Sequence, residues 1–334
     1  MVKKLLPLLL LLLLLTGCGA KKQVYQTVYL DVFDTVTTVR GYETCEEAFQ
    51  QRAEQVHRAL LEYHRLFDIY NDWPGGLKDV NDNAGAAPVQ VDGAVLELLA
   101  DCREDYERTG GKVNAAMGSV LSLWHQAREA GLENPAEAAL PDMKALEEAA
   151  KHTGFDTVIV DEQAGTVYLS DPEQRLDVGA IAKGWAAQKA AALLPEGYML
   201  NVGGNVCARG SKPGGEKWNI AIQSPNAGEA NLCVVSLAGQ SLVTSGDYQR
   251  SYTVDGKNYH HIIDPETLMP SAYWRSVSIL CDDSGLADCL STALFLLPLE
   301  EGRALAEECG VEAMWVDAQM NITQTTGFTA ALRQ

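Results

Sequence analysis

Apolar positions recur every second residue in some stretches of this chain and every third or fourth in others, and these two periods predict strands and helices respectively. Val28 to Arg40, rich in Val, Thr and aromatic residues, reads as the first extended segment, with residues 18–27 before it a short tether. Glu43 to Tyr70 carries its apolar residues at Ala48, Val56, Leu60, Leu61 and Leu66, a helical spacing that Trp73-Pro74-Gly75-Gly76 ends in a turn. Further helices are predicted over Val95–Arg108, stopped by Gly110-Gly111, and over Met117–Ala130, Pro141–Lys151, Ile181–Leu194, Leu286–Leu297 and Glu301–Glu308. Thr157–Val160 and Thr166–Leu169 form a hairpin pattern around Gly165, and Tyr198–Val202 reads as a strand running into glycines. Trp218–Ile222, Cys233–Leu237, Leu242–Ser245, Tyr252–Val254 and Val277–Leu280 read as strands too. Mixed elements of this kind predict an α+β body built on mainly antiparallel sheet.

One stretch fits neither period. Lys3 and Lys4 precede an apolar run from Leu5 to Leu15, broken only by Pro7 and too short for the roughly 20 apolar residues that span a bilayer. The pattern is an export signal. Leu15-Thr16-Gly17-Cys18 follows at once and resembles a bacterial lipobox, which makes Cys18 the expected lipidation site. Three segments are therefore expected: signal peptide 1–17, lipidated tether 18–27, and one catalytic domain over 28–334. Acyl chains on Cys18 would hold the protein on the outer, extracytoplasmic face of a bacterial membrane without a spanning helix.

The formal charge of −19 disfavours nucleic acid as a partner, because acidic residues are spread along the whole chain. A polyanionic ligand then needs a local device, a metal ion or oriented backbone amides. Of eight cysteines, seven remain once Cys18 is set aside; an odd number cannot all pair, and no C-x-x-C occurs. They read as mostly structural free thiols.

Four constellations offer chemistry. Leu176 to Gly184 brackets small residues with Asp177 and Lys183 ahead of a helix, where free N–H groups and a lysine suit a phosphate; a capped helix start is the plainer reading. Asn201-Val202-Gly203-Gly204-Asn205 lacks the G-x-G-x-x-G spacing of a Rossmann site and is either a close approach to a ligand or a tight turn. Tyr259 to Pro265 sets His260 and His261 near Asp264, an acid placed to orient His261 as a general base, or else part of a satisfied strand end. Asp288 and Thr292 lie four apart on a helix and share a face, as two hard oxygen ligands for Mg²⁺ or as a buried hydrogen-bonded pair.

Taken in order, Asp177 to Gly184, Thr244-Ser245-Gly246-Asp247-Tyr248, His261-Ile262-Ile263-Asp264-Pro265 and Ala287-Asp288 through Thr292-Ala293-Leu294 resemble the motifs of the ApbE family of FAD:protein FMN transferases. The likeness runs from about Val28 through the last helices. It implies an ApbE-like, T-fold-related α+β architecture with mixed, mainly antiparallel sheets. It also implies FAD as substrate, contacted by Phe33, Asp34, Thr35, Tyr70, Asn114, Asp177, Lys183, His261 and Ile263. Mg²⁺ would be held by the Ala180 carbonyl, Asp288 and Thr292, and His261 would activate the acceptor hydroxyl. FMN would pass to a Thr or Ser of an extracytoplasmic redox flavoprotein, such as a subunit of an Rnf- or Nqr-like complex, with release of AMP. An FAD-storing lipoprotein and a pyrophosphatase giving free FMN and AMP are the alternatives. Three positions depart from the family pattern: Asn114 stands where many relatives carry Asp, Ala180 replaces a glycine, and Leu268 replaces the glycine usual after H-x-I-D-P-x-T, which bears on the turn there.

Overall fold

The computed structural model describes residues 21–333. The export signal and Cys18 lie outside the described residues. Among those described, no helix is long and apolar enough to cross a membrane.

An antiparallel sheet of eight strands organises the chain: β1 (Gln23–Val32), β2 (Thr35–Glu43), β6 (Tyr198–Val202), β7 (Asn205–Arg209), β10 (Ser241–Gly246), β13 (Ser276–Cys281), β14 (Glu312–Val316) and β15 (Ile322–Gln324), in that spatial order. Period-two alternation sorts its residues onto two faces. Leu200, Cys207, Val243, Ile279 and Trp315 enter the main core. There they meet α1 (Glu46–Phe67), α6 (Ala182–Ala191) and α7 (Ser284–Phe295). Val206, Ala208, Leu242, Leu280 and Met314 point the other way, into a smaller core closed by β8 (Trp218–Ile222), β9 (Cys233–Leu237) and Phe328 of α9 (Thr326–Ala331). With both faces covered, every residue of β13 is buried, Ser276 and Ser278 included.

The remaining elements build a flank. These are α2 (Leu77–Asp82), α3 (Gly93–Arg108), α4 (Gly118–Glu133), α5 (Met143–Ala149) and α8 (Leu299–Glu308), with the small sheet β3 (Val89–Gln90), β5 (Thr166–Leu169), β4 (Val158–Asp161) and the hairpin β11 (Tyr252–Val254) with β12 (Lys257–Tyr259). A third core joins α4 to that hairpin through Val120, Trp124 and Tyr252.

The α+β class with mainly antiparallel pairing holds, and several boundaries move. Gln23–Thr27, read as tether, already pair with β2 from Gln23↔Glu43 onward, because backbone hydrogen bonding carries polar Gln and Thr into the strand. The first long helix begins at Glu46, since Glu43 is spent in β2, and it ends at Phe67 because the Asp68 carboxylate accepts the Tyr70 and Asn71 N–H groups. The segment over Pro141–Lys151 is α5 followed by a 3-10 turn, Ala150–His152. The strands β3, β7, β12, β14 and β15 and the helices α2 and α9 were not foreseen, most being too short to show a period, and the single extended segment expected over Val28–Arg40 is two strands joined at Phe33-Asp34.

Three glycines are required by geometry. Gly203 and Gly204 (φ +57° and +100°) form the two-residue turn between β6 and β7. Gly184 lets α6 approach α7 so closely that a Cβ would overlap Ser284 O and Asp288 Cβ. Since a helix backbone cannot yield like a flexible side chain, Gly184→Ala is expected to cost about 1–3 kcal/mol in urea unfolding. It should also displace Asp288.

Candidate active site

A cavity of about 520 Å³ opens at one end of the large sheet, within the size range of small-ligand sites. Its floor comes from two hairpin turns and a strand end on the same edge: Asp34 from the β1–β2 turn, Gly203 from the β6–β7 turn, and Thr244 to Gly246 from β10. Asp177 to Lys183 lead into α6 on one side, Asp288 and Thr292 project from α7, and α4 with the β11–β12 hairpin closes the far wall. Segments more than two hundred residues apart in sequence thus meet in one cleft.

Of the residues singled out from sequence, Asp34, Tyr70, Asn114, Asp177, Ala180, Lys183, His261, Ile263, Asp288 and Thr292 all line this cavity. Phe33 and Thr35 do not. Phe33 turns inward, with its ring edge-on to His64 at 5.5 Å and its N–H donated to His64 Nδ1 at 3.1 Å. Thr35 packs against Gly203, whose missing Cβ leaves it room. Phe33 and Asp34 both take positive φ, 53° and 50°, as a two-residue hairpin turn demands, and this aims Asp34 at the cleft.

The group that orients His261 is not the acid expected. Asp264 accepts Lys112 Nζ at 3.3 Å and the Glu266 N–H at 3.0 Å, and its own carbonyl closes a turn with Leu268 N. His261 instead pairs through Nδ1 with the Gln249 carbonyl at 3.2 Å. A carbonyl only accepts, so Nδ1 carries the proton and Nε2 keeps its lone pair. His260 is satisfied within the fold: Nε2–H donates to Ser271 O at 2.8 Å and Nδ1 accepts Ile262 N–H at 3.2 Å. Of the two adjacent histidines, only His261 offers the cleft a base. Gln249 was missed because it follows the Thr244–Tyr248 motif and has no chemistry of its own; its backbone does the work.

Burial, with Arg250 and Lys183 nearby, lowers the His261 pKa to about 3. The free protein therefore keeps this imidazole neutral above about pH 3. Its ¹H–¹³C NMR signal should stay fixed between pH 5 and 8. The unfolded chain titrates near 6.5, so the stability that the neutral imidazole contributes is complete above that pH and is lost as pH falls from there toward 3. A His261 signal that titrates near 6.5 would refute this placement.

Asp288 is buried, and its Oδ2 accepts Gly184 N–H at 2.8 Å with Lys183 Nζ 3.6 Å away. Burial, only partly opposed by Lys183, pushes its carboxyl up. Neither interaction occupies Oδ1. One carboxylate, the Thr292 hydroxyl one turn further along α7 and the Ala180 carbonyl form an all-oxygen set of single negative charge. Such a set suits a hard cation that keeps water and phosphate oxygens in its remaining positions. Among the described residues no three His, Cys, Asp or Glu side chains cluster as an alternative metal set.

Asn114 is clamped by backbone at both ends, donating to Thr153 O at 2.9 Å and accepting Ala116 N–H at 2.8 Å. Asp177 accepts Gly179 N–H at 2.8 Å, and burial raises its pKa. Tyr70 is 59% exposed and lies on His125, centroids 4.9 Å apart, while Arg128 donates to His125 Nδ1 at 2.8 Å. His125 and Arg128, not foreseen from sequence, extend Tyr70 into an aromatic shelf. Leu268 answers the question its substitution raises: it adopts the left-handed conformation of the usual glycine (φ +59°), and its carbonyl accepts Trp124 Nε1–H at 2.9 Å. The conformational cost is met by burial of the side chain beside Trp124 and Ile263.

A profile of the ApbE family matches residues 33–315, which takes in every element of the cleft. The chain belongs to the ApbE family. Among curated ApbE-like relatives, one from Treponema pallidum, named FAD:protein FMN transferase, is 34% identical over 347 aligned residues, covering 95% of this chain and 91% of its own. Another of the same name from Klebsiella pneumoniae is 31% identical, covering 81% and 83%. The crystal structure of the ApbE protein from Thermotoga maritima superposes with a TM-score of 0.83 at 27% identity, over 93% of this chain and all of the other. The family architecture expected from the motifs is thus the one observed.

Proposed function

We propose that this chain is an FAD:protein FMN transferase that uses Mg²⁺ to attach FMN through a phosphoester to a threonine or serine of another protein. The observation that carries the reading is the convergence in one cleft of a base with a free Nε2 (His261), a lysine (Lys183) and an oxygen set built on a single carboxylate (Asp288, Thr292, Ala180). The names of the curated relatives support it.

The acceptor hydroxyl oxygen forms a bond to the FMN-side phosphorus of FAD, the bond from that phosphorus to the bridging oxygen breaks, and AMP leaves with the electron pair. His261 Nε2 takes the hydroxyl proton, a role worth about 10²–10⁴-fold. Its low proton affinity in the free protein rises when the diphosphate brings negative charge beside it. Lys183 supplies a fixed cation to the diphosphate. The Tyr70–His125 shelf offers a π-face for the isoalloxazine or adenine ring. When bound at Asp288, Thr292 and Ala180, Mg²⁺ supplies charge neutralisation for the diphosphate and the leaving oxygen. This is how a protein of net charge −19 accommodates a polyanion.

Cys18, placed just before the first strand, is proposed as the lipid attachment site, which sets the cleft on the outer face of a bacterial membrane within reach of flavoprotein subunits of Rnf- or Nqr-like complexes. Incubation of the protein with FAD, Mg²⁺ and a recombinant Nqr-like acceptor subunit is expected to give AMP and an in-gel fluorescent acceptor band. AMP and free FMN without any acceptor would instead indicate a pyrophosphatase, and tight FAD binding without AMP a carrier.

A further inference from the structure

Four cationic side chains line the cleft: Lys112, Arg128, Lys183 and Arg250. Three of them have a carboxylate within salt-bridge distance, Lys112 at Asp264 and Glu266, Arg128 at Glu129, and Lys183 at Asp288. Arg250 has none among the described residues. In a chain this acidic, a cleft guanidinium with no carboxylate at salt-bridge distance is open to direct pairing with an anion that the protein does not itself supply.

Its backbone says the same. Arg250 takes φ +44°, a left-handed conformation that is unfavourable for an L-residue other than glycine. Neither burial nor a hydrogen bond of its side chain offsets that cost, since the residue is exposed. Strain retained without structural return is a mark of function. The conformation belongs to the tight turn from β10 into β11, whose preceding residue, Gln249, holds His261 through its carbonyl. Fixing the base and presenting the guanidinium are thus two outputs of one turn. Arg250 lies close enough to His261 and to Asp177 to lower the proton affinity of both.

We propose that Arg250 is a catalytic residue that binds the FMN-side phosphate of FAD, next to His261 and on the opposite side of its neighbour Gln249 from the rest of the β10 motif. This rests on the transferase reading and adds to it the group that holds the phosphorus under attack. A planar guanidinium can donate two parallel hydrogen bonds to phosphate oxygens. As the acceptor oxygen bonds to phosphorus and the bridging oxygen departs with AMP, charge redistributes over those same oxygens, and a fixed fork stabilises it. The proton still passes to His261 Nε2. Arg250 neither gains nor loses one.

The test compares native protein with Arg250→Ala, Arg250→Lys and Arg250→Gly, the last of which relieves the backbone strain and should melt no lower than the native chain. Flavin-fluorescence titration with FMN and with riboflavin reads the phosphate contact directly and needs no acceptor. FMN affinity should fall about tenfold or more in the Ala and Gly variants, and less in Lys, with riboflavin affinity unchanged within twofold. The rate of FMN transfer from saturating FAD should fall about 10²–10³-fold, with partial recovery on adding guanidinium at millimolar concentration. Equal affinity of native and variant proteins for FMN, or an equal loss for FMN and riboflavin, would overturn the proposal. A native protein that discriminates FMN from riboflavin through Arg250 yet transfers nothing would retain the phosphate contact and sink only the transferase reading.

Discussion

His261→Ala is expected to bind FAD within a few-fold of the native protein and to transfer FMN about 10²–10⁴-fold more slowly, the range that positioned bases contribute. The separation of the two effects follows from the structure. His261 Nδ1 spends its proton on Gln249 O, and the half-buried ring lines the cleft, so truncating it leaves the cleft walls standing. Its neighbour His260 cannot substitute, because both its nitrogens are engaged with Ser271 O and Ile262 N–H. A titration of flavin fluorescence against protein gives the binding constant, and the fluorescent acceptor band gives the rate. If His261→Ala transfers at the native rate, the base lies elsewhere.

Asp288→Asn is the second. The amide keeps the size of the carboxylate, and its oxygen can still accept Gly184 N–H, so the close packing of α6 on α7 survives. What disappears is the one negative charge of the oxygen set, and with it affinity for a divalent cation. Stabilisation of a few kcal/mol at the leaving oxygen corresponds to about 10³-fold or more in rate at ordinary Mg²⁺. Raising Mg²⁺ far above its usual concentration should restore part of the loss. A second consequence checks the first: the asparagine leaves Lys183 without its partner at 3.6 Å, so FAD binding without Mg²⁺ should hold or strengthen. Native activity in Asp288→Asn would remove the metal from this position.

The contrast between these two residues shows what was legible in the sequence. Asp288 and Thr292 were readable because helical spacing is local: four residues place two oxygens on one face whatever the rest of the fold does. The strands Trp218–Ile222 and Cys233–Leu237 were readable for the same reason, each spanning five residues with the expected ends. His261 was identifiable as an imidazole of the cleft, yet its orienting partner was not, since proximity in sequence pointed to Asp264 while the turn geometry delivers Asp264 to Lys112 and brings in a backbone carbonyl from twelve residues upstream. Backbone groups carry no residue signature. Phe33 and Thr35 show another limit: Val28–Arg40 read as one extended segment, whereas the chain turns at Phe33-Asp34, so Asp34 lines the cavity and Phe33 and Thr35 do not. Gln23–Thr27 and β15 show a third limit, because edge strands rich in Gln and Thr are held by pairing with a neighbour rather than by an apolar stripe of their own.

Leu268 makes a related point about substitutions judged by residue type. A leucine where a glycine is usual suggests a reshaped turn, but the backbone keeps the glycine-like φ of +59° and the side chain is absorbed beneath Trp124. Ala180 is milder still, since the feature asked of that position is a carbonyl that every residue has.

Stoichiometry in a single turnover measures the central claim most directly: native protein is loaded with one equivalent of FAD and Mg²⁺ and mixed with excess threonine-bearing acceptor, and AMP is counted by chromatography alongside covalently bound flavin by mass spectrometry. One AMP for each FMN fixed to the acceptor, abolished by EDTA, is the predicted result. AMP formed with no flavin on the acceptor, or flavin attached at an undiminished rate in EDTA, would contradict it.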